Sequence, residues 1–349
     1  MSNSLKAAEF CVTTTSELHH ALSVAESNAA HDVIKIAEGN YVASGGAFEF
    51  SDDHGWDLEI NGGWSEFYGN PCGQLLGNNL YGTILDGDNL NGILDIQLFG
   101  HNSLRIAGIK FIDGYKSNTN GGALNIGVYN EFSTGTIIIE NNAFINNHAY
   151  SASALYIYHP DEIIIRNNLF VGNNAQRSGT VRIIQNNDFG IYFTNNTHIY
   201  NSASDTDDAS VDLQVNGTSQ ALVANNVLWG NGNMDLQLNG AGSAYVKNND
   251  LGLLGGYLVP LESSGNFSLP PRFGSGSGFL DLPPLAISPL VNDGINPCSI
   301  CPFPKPFDES WSLGATDLSG NERIQNGKVD IGAFESSHDP DLIFWGIFE

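Results

Sequence analysis

The stretch IIIENNAFINNHA (137–149) returns 26 residues later as IIIRNNLFVGNNA (163–175). Both runs are apolar and β-branched, reach an Asn-Asn pair, and restart with an apolar pair ending in Phe. Aligned on the Asn pair, LRIAGIKF (104–111), IYFTNNTH (191–198), ALVANNVL (221–228) and AYVKNNDL (244–251) fall into the same frame. Asn142, Asn168, Asn196, Asn226 and Asn249 follow one another at intervals of 26, 28, 30 and 23 residues. A period of roughly 20–50 residues marks a solenoid, and the uneven intervals place loops of different length on a common frame.

Each repeat divides into three short runs, such as ALYIYH (154–159), EIIIRN (162–167) and NLFVGN (168–173). Runs this short and this β-branched read as strands. Three strands per coil, stacked about 4.8 Å apart, give three parallel sheets around one apolar interior. Parallel sheets need a covering layer, and here the chain covers its own inner face. Asn at the bend between the second and third strands is expected to adopt a left-handed conformation and to bond to its copies above and below.

On these residues the chain resembles the right-handed parallel β-helix, or pectin-lyase-like, superfamily over roughly residues 31–256. The fold expected is all-β: a single-stranded right-handed parallel β-helix of three parallel sheets with an asparagine corner ladder. Residues 1–30 are expected to form an N-terminal cap with a short helix. In 15–27, Leu18, Ala21, Leu22 and Ala25 share one stripe, and Thr15 or Ser16 can cap its start. Such a helix would plug the open end of the coil. The helix followed by HDVIKIAEGNYVA (31–43) is similar to the entry of many bacterial β-helix proteins.

From about residue 257 the Asn rhythm stops and prolines cluster, so 257–349 is expected to be an irregular C-terminal capping segment. SPLVNDG (288–294), DLSGNER (317–323) and VDIGAFE (329–335) resemble, in order, the choice-of-anchor type C-terminal region of bacterial surface β-helix proteins. DLIFWGIFE (341–349) resembles a short hydrophobic tail of secreted proteobacterial proteins. Arg323 with Asp317 or Asp330 reads as a structural ion pair.

The net charge is −25 in a chain that is only 15% charged, because there are 13 Lys and Arg against 38 Asp and Glu. So few cations speak against nucleic acid and against anionic membrane surfaces as partners. Cys11, Cys72, Cys298 and Cys301 fit two structural disulfides of an oxidising compartment, with three possible connectivities. A Cys11–Cys72 bond would tie the excursion GGWSEFYGNPCGQ (62–74) to the cap. No segment approaches the ~20 apolar residues of a membrane span. The first ten residues lack an apolar signal core, so an exported form would have had its signal removed.

Alternate strand residues point outward, which lays out the outer face of the first sheet coil by coil. One column is Glu49, Asp95, Asn125, Tyr156, Arg182, Asp212 and Asp235. The next is Ser51, Gln97, Gly127, Tyr158, Ile184, Gln214 and Gln237, with Phe48, Leu94, Leu124, Leu155, Val181, Val211 and Met234 inward. This face reads as a saccharide groove, where the resemblance places the family's lyase and hydrolase chemistry. Tyr156 would stack on a sugar or act as a base, and Arg182 would hold a carboxylate or lower the Tyr156 pKa. Asp212 and Asp235 would share a proton or hold Ca²⁺. Asp95, Asn125 and Tyr158 would contact substrate.

The stretches 115–122, 147–153, 174–179 and 202–210 read as loops stacked on one edge of that groove. His148, Tyr150 and Arg177 would line it, and Asp205, Asp207 and Asp208 have the spacing of a Ca²⁺ loop without the closing Glu and Gly of an EF-hand. A lyase needs the uronate charge neutralised, and the face offers one Arg. The expectation is therefore a secreted or cell-surface protein that binds polysaccharide or acts in adhesion without catalysis. The alternatives are a polysaccharide lyase or glycoside hydrolase working in the groove, and a structural spacer of the cell envelope.

Overall fold

The computed structural model describes residues 7–52, 54–67, 69–76, 82–99, 103–128, 135–159, 162–205, 209–232, 234–274, 282–296, 313–325 and 327–336. The chain winds as a parallel β-helix. One coil runs through strands His148–Ser151, Leu155–His159, Glu162–Arg166 and Leu169–Val171 before the next begins. The first sheet, from Phe48–Asp52 to Leu254–Gly256, has eight strands. The second, from Ala8–Val12 to Glu262–Ser264, has ten, and the third, from Gly39–Val42 to Asp250–Leu251, has eight. Every strand pairing within them is parallel.

A fourth sheet joins the three that the repeat implies. Tyr115–Asn120, His148–Ser151, Asn174–Arg177 and Ser202–Ala203 pair in parallel where the sequence reads as loops. Its buried positions are small, with Ala149, Ser151 and Ala175 turned in. Without large apolar residues at alternate positions it carries no strand signal.

The interior is a set of ladders. Ile106, Ile139, Ile165, Phe193, Val223 and Val246 stack in the second sheet and are fully buried. Burying a side chain of this size contributes about 1.5–3 kcal/mol, and the ladder repeats that gain at every rung. In the third sheet Phe111 stacks on Phe144 at 4.9 Å, and Phe144 on Phe170 at 4.7 Å, each pair within 5° of parallel.

The two residues of each Asn pair divide the corner between them. The first takes the left-handed turn, at φ 55° for Asn141 and Asn167, 53° for Asn195 and 57° for Asn225. The second forms the ladder: Oδ1 of Asn168 accepts from the backbone N–H and the amide of Asn142 at 3.0 and 3.2 Å. The same pair of bonds links Asn168 to Asn196, Asn196 to Asn226, and Asn226 to Asn249. A second ladder, Asn147–Asn173–Asn201–Asn231, closes the next corner in the same way. Its sequence sign is an Asn five positions after each of Asn142, Asn168, Asn196 and Asn226.

At the N-terminal end, α1 (Thr15–Ser27) buries Leu18, Ala21, Leu22 and Ala25 as the stripe requires. The cap is Thr14 rather than Thr15 or Ser16. Thr14 Oγ1 accepts from Glu17 N at 3.2 Å, and the Glu17 carboxylate accepts from the N–H groups of Thr13 and Thr14. Only the residue one step earlier has the extended backbone that lets Glu17 reach back, completing a capping box. Cys11 and Cys72 are bonded, with Cα atoms 5.8 Å apart. The other two cysteines, Cys298 and Cys301, lie outside the described residues. A Cys72→Ser variant should lose about 2–4 kcal/mol of stability by chemical denaturation, because the bond closes a loop of 61 residues. A loss under about 0.5 kcal/mol would mean that strand pairing alone already fixes the excursion.

The C-terminal segment packs along the wall. Leu318, Ala333 and Phe334 cover Ala143 and Leu169, while Leu290 and Ile331 cover Ile199 and Val227. The first Asn of each pair turns its amide outward to this segment. Asn167 Nδ2 donates to Thr316 O at 2.9 Å, Asn195 Nδ2 to Asp330 O at 3.1 Å, and Asn225 Nδ2 to Ile295 O at 3.0 Å. Arg323 is fully buried and bonds Glu335 at 2.6 Å, so its carboxylate partner is Glu335 and not Asp317 or Asp330. Among the described residues no helix is long and apolar enough to cross a membrane.

Candidate functional site

The fourth sheet leads into the first along each coil through a short turn, as between Ser151 and Leu155. The turn needs left-handed backbone, at Ala152 (φ 52°) and Gly179 (φ 57°). A Cβ on Gly179 would lie 1.7 Å from Ala209 O, so this rung admits only glycine.

On the first sheet the register puts Glu49 beside Asp95, Asp95 beside Asn125, Asn125 beside Tyr156, Tyr156 beside Arg182, and Arg182 beside Asp212. The column continues with Gln237, not Asp235. The Asp212–Asp235 pair expected from the sequence is therefore not formed. Asp235 sits two positions earlier on its strand. Its Oδ2 accepts from Gly252 N at 2.7 Å and its Oδ1 from Asn231 Nδ2 at 3.3 Å. Alternation of polar and apolar residues is unchanged by a slip of two, so the pattern could not reveal this one.

Arg182, Asp212 and Asp95 of this face are each engaged in an ion pair. Arg182 Nη1 donates to Ser178 Oγ at 2.8 Å, and its Nε lies 3.5 Å from Asp212 Oδ2, close enough for an ion pair. Asp212 Oδ1 accepts from Asn239 Nδ2 at 3.2 Å. Asp95 pairs with Lys116, which reaches across from the fourth sheet. Tyr158 lies open beside them at 41% exposure.

The fourth sheet supplies the other wall. Tyr115 stacks on His148 at 5.2 Å and 12°, and the Arg177 guanidinium lies 6.0 Å from the Tyr150 ring centroid. His148, Gln176, Arg177, Ser204 and Asp205 line an open depression. Asp207 and Asp208 lie outside the described residues. Among the described residues no group of three or more His, Cys, Asp or Glu could hold a metal ion.

Chemically, the surface offers flat aromatic faces, amides and paired charges. Acid–base hydrolysis needs two carboxyl groups facing each other across a substrate, and Asp212 faces Arg182 and Asn239 instead. Of the acids with raised pKa, two lie near the C-terminal end of the β-helix, Asp235 on the strand Met234–Asn239 and Asp250 on the strand Asp250–Leu251. Burial pushes Asp235 up, and burial with the like charge of Asp235 lifts Asp250 to about 7. Asp250 Oδ1 is tied to Leu269 N at 3.0 Å, so this acid serves the covering segment.

The outer face of the second sheet carries a cluster that the reading of the sequence passed over. Arg105 donates to Glu59, Asn61 and Glu140, and Arg166 donates to the other oxygen of Glu140. Burial alone would raise the Glu140 carboxyl, but the Arg166 and Arg105 guanidiniums outweigh it and hold it below the usual value. The available signal was the sheet's own pattern. The outward column beginning Glu59 and Arg105 turns apolar at Ile138, Ile164 and Tyr192. A scan of family models, a search of curated proteins and a search of solved structures each found no match to this chain.

Proposed function

We propose that this β-helix is a secreted or cell-surface protein that binds polysaccharide on the surface formed by its first and fourth sheets, without catalysing a reaction. The observation that carries this reading is the set of partly exposed tyrosine rings on two adjoining sheets: Tyr158 at 41%, and Tyr115 and Tyr150 at 38% each. Rigid aromatic faces beside amides and hydroxyls suit sugar rings, whose C–H faces are apolar and whose edges are polar. The Cys11–Cys72 bond supports an oxidising location. The resemblance to pectin-lyase-like and choice-of-anchor proteins supports a glycan partner at the cell exterior.

A second reading, a polysaccharide lyase, draws on Tyr156 lying beside Arg182 on neighbouring rungs. One experiment separates the two. Tyr158→Ala and Tyr150→Ala should each weaken retention on an immobilised polysaccharide panel about tenfold, with little change in thermal midpoint because both rings are exposed. New unsaturated uronates appearing with wild type and vanishing in Arg182→Ala would establish the lyase instead. Retention that ignores both tyrosines would end the binding reading for this surface.

A further inference from the structure

The two ends of the solenoid are finished differently. At the N-terminal end α1 lies across the coil and buries Leu18, Ala21, Leu22 and Ala25 against it. At the C-terminal end the last strands of the first and second sheets, Leu254–Gly256 and Glu262–Ser264, have a neighbour on one side only. The apolar interior closes there on Leu254 and Leu258, which are only partly buried. Around them Tyr257 is 93% exposed, Val259 80%, Leu261 68% and Leu253 53%.

A solenoid needs a polar outer face on its terminal repeat, because an open apolar end invites association. This one ends on LGLLGGYLVPL (251–261), a run without a charged residue. On one side of the run Asp250 is buried, and on the other Glu262 is paired with Lys247 at 2.6 Å. In a chain of net charge −25, two copies can meet at this end without bringing like charges into contact.

The way copies can meet follows from the two ends. A head-to-tail stack would set the C-terminal end of one copy on the N-terminal end of the next and grow into a filament. The helix α1 already occupies that place. A two-fold contact sets tail against tail and closes at two copies. It places Leu254 and Leu258 of the two copies on either side of the junction, so the apolar interior continues across it. The edge strands are three residues long and Pro260 stands between them, so apolar contact rather than strand pairing carries the association. The four exposed side chains offer roughly 500 Å² per copy, so the pair would bury roughly 1,000 Å², the size at which specific interfaces begin.

We propose that the chain forms a two-fold dimer through this end, the patch of Leu253, Tyr257, Val259 and Leu261 on one copy packing on the same patch of the other. The contact lies at the end of the coil stack and uses none of the tyrosines of the first and fourth sheets, so it stands or falls independently of the polysaccharide reading. A dimer carries two copies of that surface, the arrangement that gives avidity on a repeating polymer.

The test is sedimentation velocity on the full chain from about 5 to about 500 µM, which should show a monomer–dimer equilibrium with a Kd on the order of 10–100 µM. The dimer should be several-fold tighter in about 0.5 M than in about 0.05 M NaCl, because salt screens the repulsion between two acidic chains and leaves apolar contact intact. Tyr257→Asp and Leu261→Asp should each weaken it at least about tenfold. Neither should move the thermal midpoint of the dilute protein, since both side chains are exposed. Tyr158→Ala should leave the equilibrium unchanged. Small-angle scattering should find the dimer nearly twice as long as the monomer. A chain that stays monomeric at about 500 µM in both salts would overturn the proposal. So would a dimer that withstands Tyr257→Asp combined with Leu261→Asp, that weakens as salt is added, or that is no longer than the monomer.

Discussion

Replacing Arg323 with alanine is expected to cost about 3–5 kcal/mol and to release the C-terminal segment from the wall of the solenoid. The side chain is fully buried and bonds Glu335 at 2.6 Å, Asn167 Oδ1 at 2.8 Å and Gly332 O at 3.0 Å. It is the cation among buried Asp317, Asp330 and Glu335. Removing it leaves carboxylates in a dry site without compensation. Chemical denaturation gives the cost, and limited proteolysis within 313–336 shows the release. A double variant, Arg323→Met with Glu335→Leu, should recover only part of the loss: it removes the Glu335 carboxylate along with its cation, but leaves buried Asp317 and Asp330 without Arg323 and the Asp330 N–H without the Glu335 acceptor. A single-variant loss under about 1 kcal/mol would mean that the apolar contacts of Leu318, Ile331 and Phe334 hold the segment unaided.

The loss should also depend on pH, and its sign follows from Glu335. Burial lifts that carboxyl to about 7; Arg323 opposes the rise and Asp330 adds to it. The folded state therefore keeps a proton that the unfolded chain releases above its ordinary value of 4.5. Stability from this group is fullest at low pH and is lost as pH rises through about 7. Without Arg323 the opposing charge is gone, so the variant should be penalised more at pH 8 than at pH 5.

The second large effect is expected at His198. This residue occupies the rung after Phe111, Phe144 and Phe170, with its ring 4.0 Å from that of Phe170. Both ring nitrogens are buried without a partner, and burial depresses the pKa from 6.5 to about 3. The folded state therefore resists a proton that the unfolded chain accepts. Its contribution is complete above pH 6.5 and falls by about 1.4 kcal/mol per pH unit as pH drops toward 3. His198→Phe continues the Phe stack and removes this titration. Urea midpoints should place the variant near wild type at pH 7.5, and ahead by about 3 kcal/mol more at pH 4. Asp250 and Glu335 titrate in both proteins and cancel in the difference. A difference that does not change with pH would mean that water reaches the imidazole.

Much of the architecture was legible in the sequence. The repeat of β-branched runs closed by Asn-Asn identified the coil, and alternation gave the first-sheet column correctly from Glu49 to Asp212. The stripe on α1 was read correctly because a helix face is a local property of 13 residues. Slip by two at Asp235 escaped notice because a period of two is blind to it. The fourth sheet escaped because its inward residues are small.

What the sequence by itself determined is the fold, since each coil repeats one local pattern and stacking needs only that the pattern recur. Only the tertiary structure decided what each Asn of a pair does. The second faces its copies inside the ladder, while the first turns outward to a segment as far away as Thr316, 149 residues from Asn167. It also decided that the excursion closes over Glu59, Arg105 and Asn141, which arrive from three different coils. Contacts of that span leave no periodic trace, because each is made once and between residues whose types are ordinary in their own surroundings.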